Sequence, residues 1–482
     1  MISAIALLVL LGAAPADSTP GCSADLAALD RKLHQDYAGY TLELHGERLK
    51  QFTKMKSALE ARAAHTLGDA CYYVLNDFAD WFDDPHLFIY QFADIDSAES
   101  SRRKTSVAKR ELNEESARAY FARRGTPLDP IEGIWYDRGL RVAVVPDSAK
   151  GPGRFVAVVL AADTAAWSPG TVRAFIARRP DGSYGVDLSQ RNYAVRHLHG
   201  EIYRHVLLRL SPGMWGKAFP VPAADSGTLD PVDPHRPVLY RHNGTLVFAI
   251  PSHDGFKSVI DSMVAAHASD LASADRLIID LRGNEGGSSG MTDALGPYVM
   301  LQRDRPTPYQ MDSSLMLSSP DQIAYAKVAF GPDTSAFVRS LLSRLAAHPG
   351  GLVPLSDPAS PPTPPDPRAW VVASGPRAVG VLTDRGTVSA SEVLVVYALK
   401  SPRATVFGEP TAGALDYESV SIVRLTHDES RWAVGYGTIT RNAQLPNGGM
   451  RGKGIQPQVP IDLSKVSDPI AFVDSALAAH DR

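Results

Sequence analysis

Two segments constrain this chain more than any others. DRLIIDLRGNEGGSSG (Asp275–Gly290) and VGVLTDRGTVSASEVLVVYALK (Val379–Lys400) each read as a buried strand, then a special turn, then a helix. The first turn offers glycines whose backbone N–H groups no side chain covers. The second places Ser389 where strand becomes helix. Together they look like an oxyanion hole and a nucleophile, the two parts that acyl transfer must bring together.

The rest of the chain must support that pair. At 482 residues it is too long for one ordinary core, so two or three domains are expected. Hydrophobic residues make up 44% and charged residues 21%, the balance of a globular protein. The net charge of −4 argues against nucleic acid as a partner, because such binders carry a basic excess. Ile5–Ala14 is an apolar run of signal-peptide length, and Ala14-Pro15-Ala16 is a cleavage pattern. Residues 1–16 are therefore expected to be a signal peptide, cleaved after Ala16, with export to the periplasm or the exterior. No segment reaches the length of a membrane span. Cys22 and Cys71 are the only cysteines, and an even count in an exported chain suggests one disulfide.

Residues 17–100 are expected to be a helical region ending in a strand. Leu49, Phe52, Met55 and Leu59 recur at helical spacing, and CYYVLNDFADWF (Cys71–Phe82) reads as a further helix. Pro85 disfavours helix before it, and His86–Phe92 reads as a strand. Residues 101–235 are expected to be a polar linker and an all-β domain. Its short alternating runs are RVAVVP, RFVAVVLAA, TVRAFIAR, SYGVDL and YRHVLLRL, separated by Gly, Pro and Asp. Residues 236–482 alternate strand and helix, beginning with a hairpin at Asn243-Gly244. Residues 305–377 look irregular, with an exposed Pro-rich loop at Asp357–Pro367. The fold class is multidomain α/β.

Ser389 admits two readings. Ser389-Ala390-Ser391-Glu392 is a capping box, so Ser389 could simply cap its helix. The run GTVSASE, preceded by an apolar strand and followed by RATVFGEPTAG, resembles the nucleophile segment of the S41 serine peptidases. That family includes the C-terminal processing proteases, the tricorn core and the interphotoreceptor retinoid-binding proteins. The resemblance implies a ClpP/crotonase-like catalytic core, no cofactor, and a peptide or protein substrate. It maps the nucleophile to Ser389, with Ser391 as the fallback. A helix start leaves the Ala390 N–H free as an oxyanion donor, and the second donor is expected from Gly286 or Gly287. Asp280 and Arg282 are expected to support the loop.

The base follows from the same resemblance. Processing proteases use a lysine after the nucleophile, and here Ala414 stands in that turn. Other S41 members, lacking a PDZ domain, use a histidine, and DDPHLFIY places His86 there. His253 in IPSHDGF is the rival. DPIEGIW (Asp129–Trp135) resembles the opening of a lipocalin-like module found in some PDZ-free members. The third catalytic position stays open. Tricorn-type sites carry a glutamate where this chain has Arg451, which leaves Asp84, Asp416, Glu418 or a backbone carbonyl. His197, His199 and His205 lack the spacing of a known metal site. The expected function is an exported serine endopeptidase. The alternatives are a silent binder of hydrophobic ligands and a Ser–His esterase or amidase.

Overall fold

The computed structural model describes residues 21–92, 94–124, 127–163, 165–210, 213–299, 314–330, 335–356, 373–425, 431–441 and 449–480. The expected signal peptide and the loop at Asp357–Pro367 lie outside the described residues.

Helix Cys22–Asp36 buries Leu26, Leu29 and Leu33, one stripe at helical spacing. Helix Gly46–Ala63 buries Phe52, Leu59 and Ala63, while Leu49 at its edge is exposed. Helix Cys71–Asp80 completes the layer, and a disulfide joins Cys22 to Cys71. The chain leaves that helix through Asp83, at φ +59°, and enters β1 (Phe88–Gln91).

The N-terminal region does not close a core of its own. In the sheet that holds it, β1 pairs antiparallel with a late strand, Trp432–Thr440, and Phe88 lies opposite Gly435. The helices' buried residues share one cluster with Tyr417, Trp432, Val434 and Tyr436. His86 is thereby carried to the C-terminal half.

Eight strands form a closed up-and-down barrel: β2 (Gly133–Asp137), β3 (Leu140–Pro146), β4 (Arg154–Ala162), β5 (Val172–Arg178), β6 (Tyr184–Ser189), β7 (Val195–Tyr203), β8 (Leu207–Arg209) and β9 (Met214–Phe219). Alternate residues point inward; on β6 these are Tyr184, Val186 and Leu188. Trp135, Phe155, Trp167 and Trp215 join them, so the interior is a packed core. YRHVLLRL, expected as one strand, instead contains a turn. Arg204 and His205 take φ of +53° and +57°, the left-handed conformation that a tight hairpin turn requires.

The C-terminal half holds a six-stranded sheet in the order β10 (Val238–His242), β11 (Thr245–Ala249), β12 (Arg276–Asp280), then Ala378–Thr383, Ala404–Gly408 and Val459–Pro460. Numbered in chain order with the sheet of the N-terminal region, the remaining strands are β13 (Leu315–Leu317), β14 (Leu352–Pro354), β15 (Ala378–Thr383), β16 (Ala404–Gly408), β17 (Tyr417–Arg424), β18 (Trp432–Thr440) and β19 (Val459–Pro460). Beyond the β10–β11 hairpin all pairs in the six-stranded sheet are parallel. Helices Lys257–Ala266 and Ala390–Lys400 cover one face, and helix Pro469–His480 covers the other. Both faces are buried, which explains the nearly continuous apolar runs in the sequence.

The described residues between 314 and 356 are more regular than expected. They include β13, β14 and the helices Pro320–Ala329 and Ala336–Ala347, which share a small core with Ile439 of β18. Val338, Leu341 and Leu345 are the buried stripe, spaced as one face of a helix requires.

The barrel is pinned to the sheet by buried charge. Arg204, at the β7–β8 turn, reaches Asp280 Oδ2 at 3.5 Å and donates to Thr228 O at 3.0 Å. Arg282 forks onto both Asp280 oxygens at 2.9 and 2.8 Å. Burial alone would raise the Asp280 pKa, but the two guanidinium groups hold it down at about 2. The disulfide closes a loop of 49 residues in sequence separation. The double variant Cys22→Ser/Cys71→Ser should lose about 2–4 kcal/mol of stability, read as the shift of its urea unfolding midpoint from that of the disulfide-bonded wild type.

Candidate active site

The two turns named at the outset are laced together by short polar side chains. Asn284 accepts the Gly286 N–H on Oδ1 at 2.8 Å. Its amide donates to Ile250 O at 2.7 Å and faces His253 Nδ1 at 2.8 Å. Its carbonyl accepts the Val388 N–H at 2.9 Å and the Ser391 hydroxyl at 3.2 Å. Asp384 Oδ1 accepts the N–H groups of Gly283 at 2.9 Å and Gly386 at 2.8 Å. The Thr387 hydroxyl donates to Leu281 O at 3.0 Å. Each turn therefore sets the other's position.

Ser389 sits at φ +60°, ψ −117°, directly before helix Ala390–Lys400. A residue with a Cβ pays strain in that region, which persists only where the surroundings hold it. Here the Glu392 carboxylate accepts the Ser389 N–H at 2.8 Å. Glu392 is fully buried and also accepts the Thr411 hydroxyl at 2.6 Å, Gly413 N–H at 2.7 Å and Ala414 N–H at 2.9 Å. Burial raises its pKa against these donors. The fallback Ser391 is fully buried, its hydroxyl donating to Val388 O at 2.7 Å and to Asn284 O.

Beside Ser389, the N–H groups of Ala390, at the first position of the helix, and of Gly287 make no hydrogen bond among the described residues. Gly287 forms a parallel bridge with His253, and its own N–H points to the opposite side. Gly286 plays a different part from the one expected. Its N–H is taken by Asn284, so it is not a free donor. Its lack of a side chain matters instead, since a Cβ there would lie 2.7 Å from Ser389 Cβ and 2.8 Å from Val388 O.

His86 is buried in the turn that leads into β1. Its own N–H donates to Asp84 Oδ1 at 2.9 Å, and Tyr37 donates to Asp84 Oδ2 at 2.8 Å. Burial pushes the Asp84 pKa up to about 7. The imidazole Nδ1 bonds to the carbonyl of Tyr417. A carbonyl only accepts, so Nδ1 carries a hydrogen, and the neutral form of this ring has Nε2 as its acceptor, the arrangement a base needs. Of the expected orienters, then, the backbone carbonyl holds the ring. Asp416 accepts from Met450 and Arg451 N–H, Glu418 pairs with Arg441, and Asp84 supports the turn. Arg451 pairs with buried Glu43, which also accepts the Tyr417 hydroxyl at 2.6 Å.

No hydrogen bond joins Ser389 to His86. They are linked through one short path: Glu392 holds both Ser389 and Ala414, and the turn Ala414–Asp416 leads to Tyr417, which holds His86. Pro85 and Val388, their neighbours in sequence, line one cavity of about 860 Å³. Barrel residues Glu201, Tyr203 and Arg209 line it as well.

The rival base His253 is fully buried behind the glycine turn. Burial lowers its pKa to about 4, so it is neutral and frames Gly287 through its backbone. The barrel histidines do not converge: His197 meets Asp187, His199 meets Glu201 and His205 meets Asp225. Asp137, Asp233 and His235 bring ligand atoms within 4.8 Å of one another, but Arg138 already holds Asp233 Oδ2 at 3.1 Å. A strained serine, an imidazole held at Nδ1 by a backbone carbonyl, and two unengaged N–H groups are parts that acyl transfer can use.

Sequence reasoning missed the lacing residues Asn284 and Asp384. Their signal was a short polar residue just past each apolar strand, the usual place for a side chain that bonds backbone.

The peptidase family S41 model matches residues 249–461. Mature CPAF complexed with lactacystin is 14% identical, covering 96% of this chain and 98% of that chain, with a TM-score of 0.48. The photosystem II D1 C-terminal processing protease is 14% identical over 92% and 94%, at 0.34. The tricorn protease is 11% identical over 96% of this chain and 37% of that chain, at 0.36. No curated protein is detectably similar in sequence.

Gly286→Ala should lower the rate of Ser389 reaction with a fluorophosphonate about 100-fold, because the new Cβ must displace Ser389. Stopped-time labelling beside a thermal melt reads this. For His253 the lowered pKa means that the unfolded chain binds more protons between pH 6.5 and about 4. Its contribution is full above pH 6.5 and disappears as pH falls through 4. The stability difference between wild type and His253→Gln should therefore shrink over that window, by up to about 1.4 kcal/mol per pH unit, in urea titrations at each pH.

Proposed function

With a peptidase family S41 domain over residues 249–461, the chain is a serine peptidase, and we propose that it is an exported endopeptidase acting through a Ser389 acyl-enzyme with His86 as general base. The observation that carries the reading is the strained Ser389 between two unengaged backbone donors, Gly287 and Ala390. His86 Nε2 takes the Ser389 proton as the hydroxyl attacks a peptide carbonyl. The oxyanion is held by the two N–H groups, with the helix dipole favouring charge at Ala390. His86 then gives the proton to the leaving amine, and the same cycle with water releases the acyl group.

Internal cleavage is favoured by a cavity of about 860 Å³, lined from the N-terminal region, the barrel and the catalytic sheet. Export is supported by the apolar run Ile5–Ala14 with its Ala-x-Ala pattern and by the Cys22–Cys71 disulfide, a bond that persists in oxidising compartments. A carrier of hydrophobic ligands loses its best support, because the barrel that could have enclosed one is filled by Trp135, Trp167 and Trp215.

Labelling by a fluorophosphonate at pH 6–9, a range set around the histidine pKa of about 6.5, tests this directly. Ser389→Ala should abolish labelling, and His86→Ala should slow it by about 100- to 10,000-fold, with both variants folded by circular dichroism. Folded wild type that never labels would refute the hydrolase reading. Turnover of esters with no turnover of any peptide would replace the peptidase by an esterase.

A further inference from the structure

We infer that the β7–β8 hairpin of the barrel is a positioning element of the acyl-transfer site, acting through Arg209 on the turn that presents Ser389. The inference rests on the reading of Ser389 as nucleophile.

The hairpin lies directly on the two laced turns. Arg209 Nη1 donates to Gly386 O at 3.0 Å, three residues before Ser389. Its other nitrogen donates to the Tyr203 hydroxyl at 2.8 Å and reaches Glu201 Oε2 at 3.3 Å. Tyr203 in turn donates to Glu201. One planar guanidinium thus spans barrel and catalytic turn, a geometry that an ammonium cannot reproduce. Only 13% of the Arg209 side chain is exposed, so these charge-assisted bonds are poorly screened.

The packing around it leaves no slack. A Cβ on Gly386 would meet Tyr203 Cε1 at 2.5 Å and Gly283 Cα at 2.7 Å. A Cβ on Gly283 would meet Leu207 Cδ2 at 2.8 Å and Tyr203 Cβ at 2.9 Å. The same two glycines donate their N–H groups to Asp384. Any shift of the hairpin is therefore passed to the glycine turn and to Ser389 together. The hairpin's own turn takes positive φ at Arg204 and His205, two residues with side chains, and Arg204 is anchored on Asp280. The docking interaction holds a conformation that the local sequence does not favour.

Glu201, Tyr203 and Arg209 also line the cavity, so a plain subsite role must be separated from positioning. A small fluorophosphonate with no peptide portion does that, because a subsite residue changes peptide KM and leaves the small probe's rate alone. We expect Arg209→Met and Arg209→Lys both to slow labelling by about 10- to 100-fold and to lower kcat likewise, with KM for a peptide within about threefold. Labelling of Arg209→Lys at the wild-type rate, or an effect confined to KM, would overturn the inference. If the Arg209 variants do not fold, Tyr203→Phe decides. It keeps the ring against Gly283 and Gly386 and removes the hydroxyl, and should slow labelling about three- to tenfold; an unchanged rate would overturn the inference. Wild type that never labels would remove the hydrolase reading and this inference with it, whereas fast wild-type labelling with unaffected variants would remove this inference alone.

Discussion

The buried carboxylate of Glu392 is the interaction on which the site depends. It has no access to water, and an ionised carboxylate there is tolerable only because four donors surround it. Those donors come from two places far apart in the local chain path: the backbone of Ser389, and the Thr411–Ala414 turn, whose Ala412 N–H also donates to Thr387 O at 3.0 Å. One group thus fixes Ser389 in its strained conformation and places the segment that carries Tyr417, hence His86. A neutral side chain of the same shape could not satisfy all four donors, since an amide has one accepting oxygen.

The same economy of short polar groups recurs between the turns. Asn284 and Asp384 each serve backbone groups on both sides, so the glycine turn and the serine turn have one shared geometry. Preorganisation of this kind is what lets backbone N–H groups stabilise developing charge without reorganising. It also explains the glycines. Gly283, Gly286, Gly287 and Gly386 all lie where another chain segment occupies the space a Cβ would need.

The barrel is part of this arrangement. Its core is filled, its β7–β8 turn is held by a fully buried Arg204–Asp280–Arg282 group, and its rim supplies one wall of the cleft. Removing one member of such a group would leave an uncompensated buried charge, so barrel and sheet are bound to one arrangement. The N-terminal helices are joined as firmly, through the β1–β18 pairing and the core they share with Tyr417 and Trp432.

Much of this was legible from local pattern. Apolar strands, the Asn243-Gly244 hairpin and the even pair of cysteines announce themselves over a few residues, because propensity and periodicity act at that range, whereas Ser389 and His86 stood out only through the resemblance of their segments to a known family. The β7–β8 turn did not, since Arg-His is a poor turn sequence and takes that shape only against Asp280. Helix Pro320–Ala329 was hidden because its buried residues, Gln322 and Ala326, make no apolar stripe. Which group orients His86 could not be read at all: Asp84, Asp416 and Glu418 were chemically suitable, and the position went to the Tyr417 carbonyl, which every residue possesses and no sequence distinguishes. Residue type and local spacing thus determined which chemistry this chain can hold. Tertiary structure alone decided which N–H groups stay unengaged, which carboxylates are already occupied, and how Ser389 and His86, some 300 residues apart in sequence, come to be linked through Glu392, Ala414 and Tyr417, because hydrogen-bond satisfaction depends on the whole surroundings of a group.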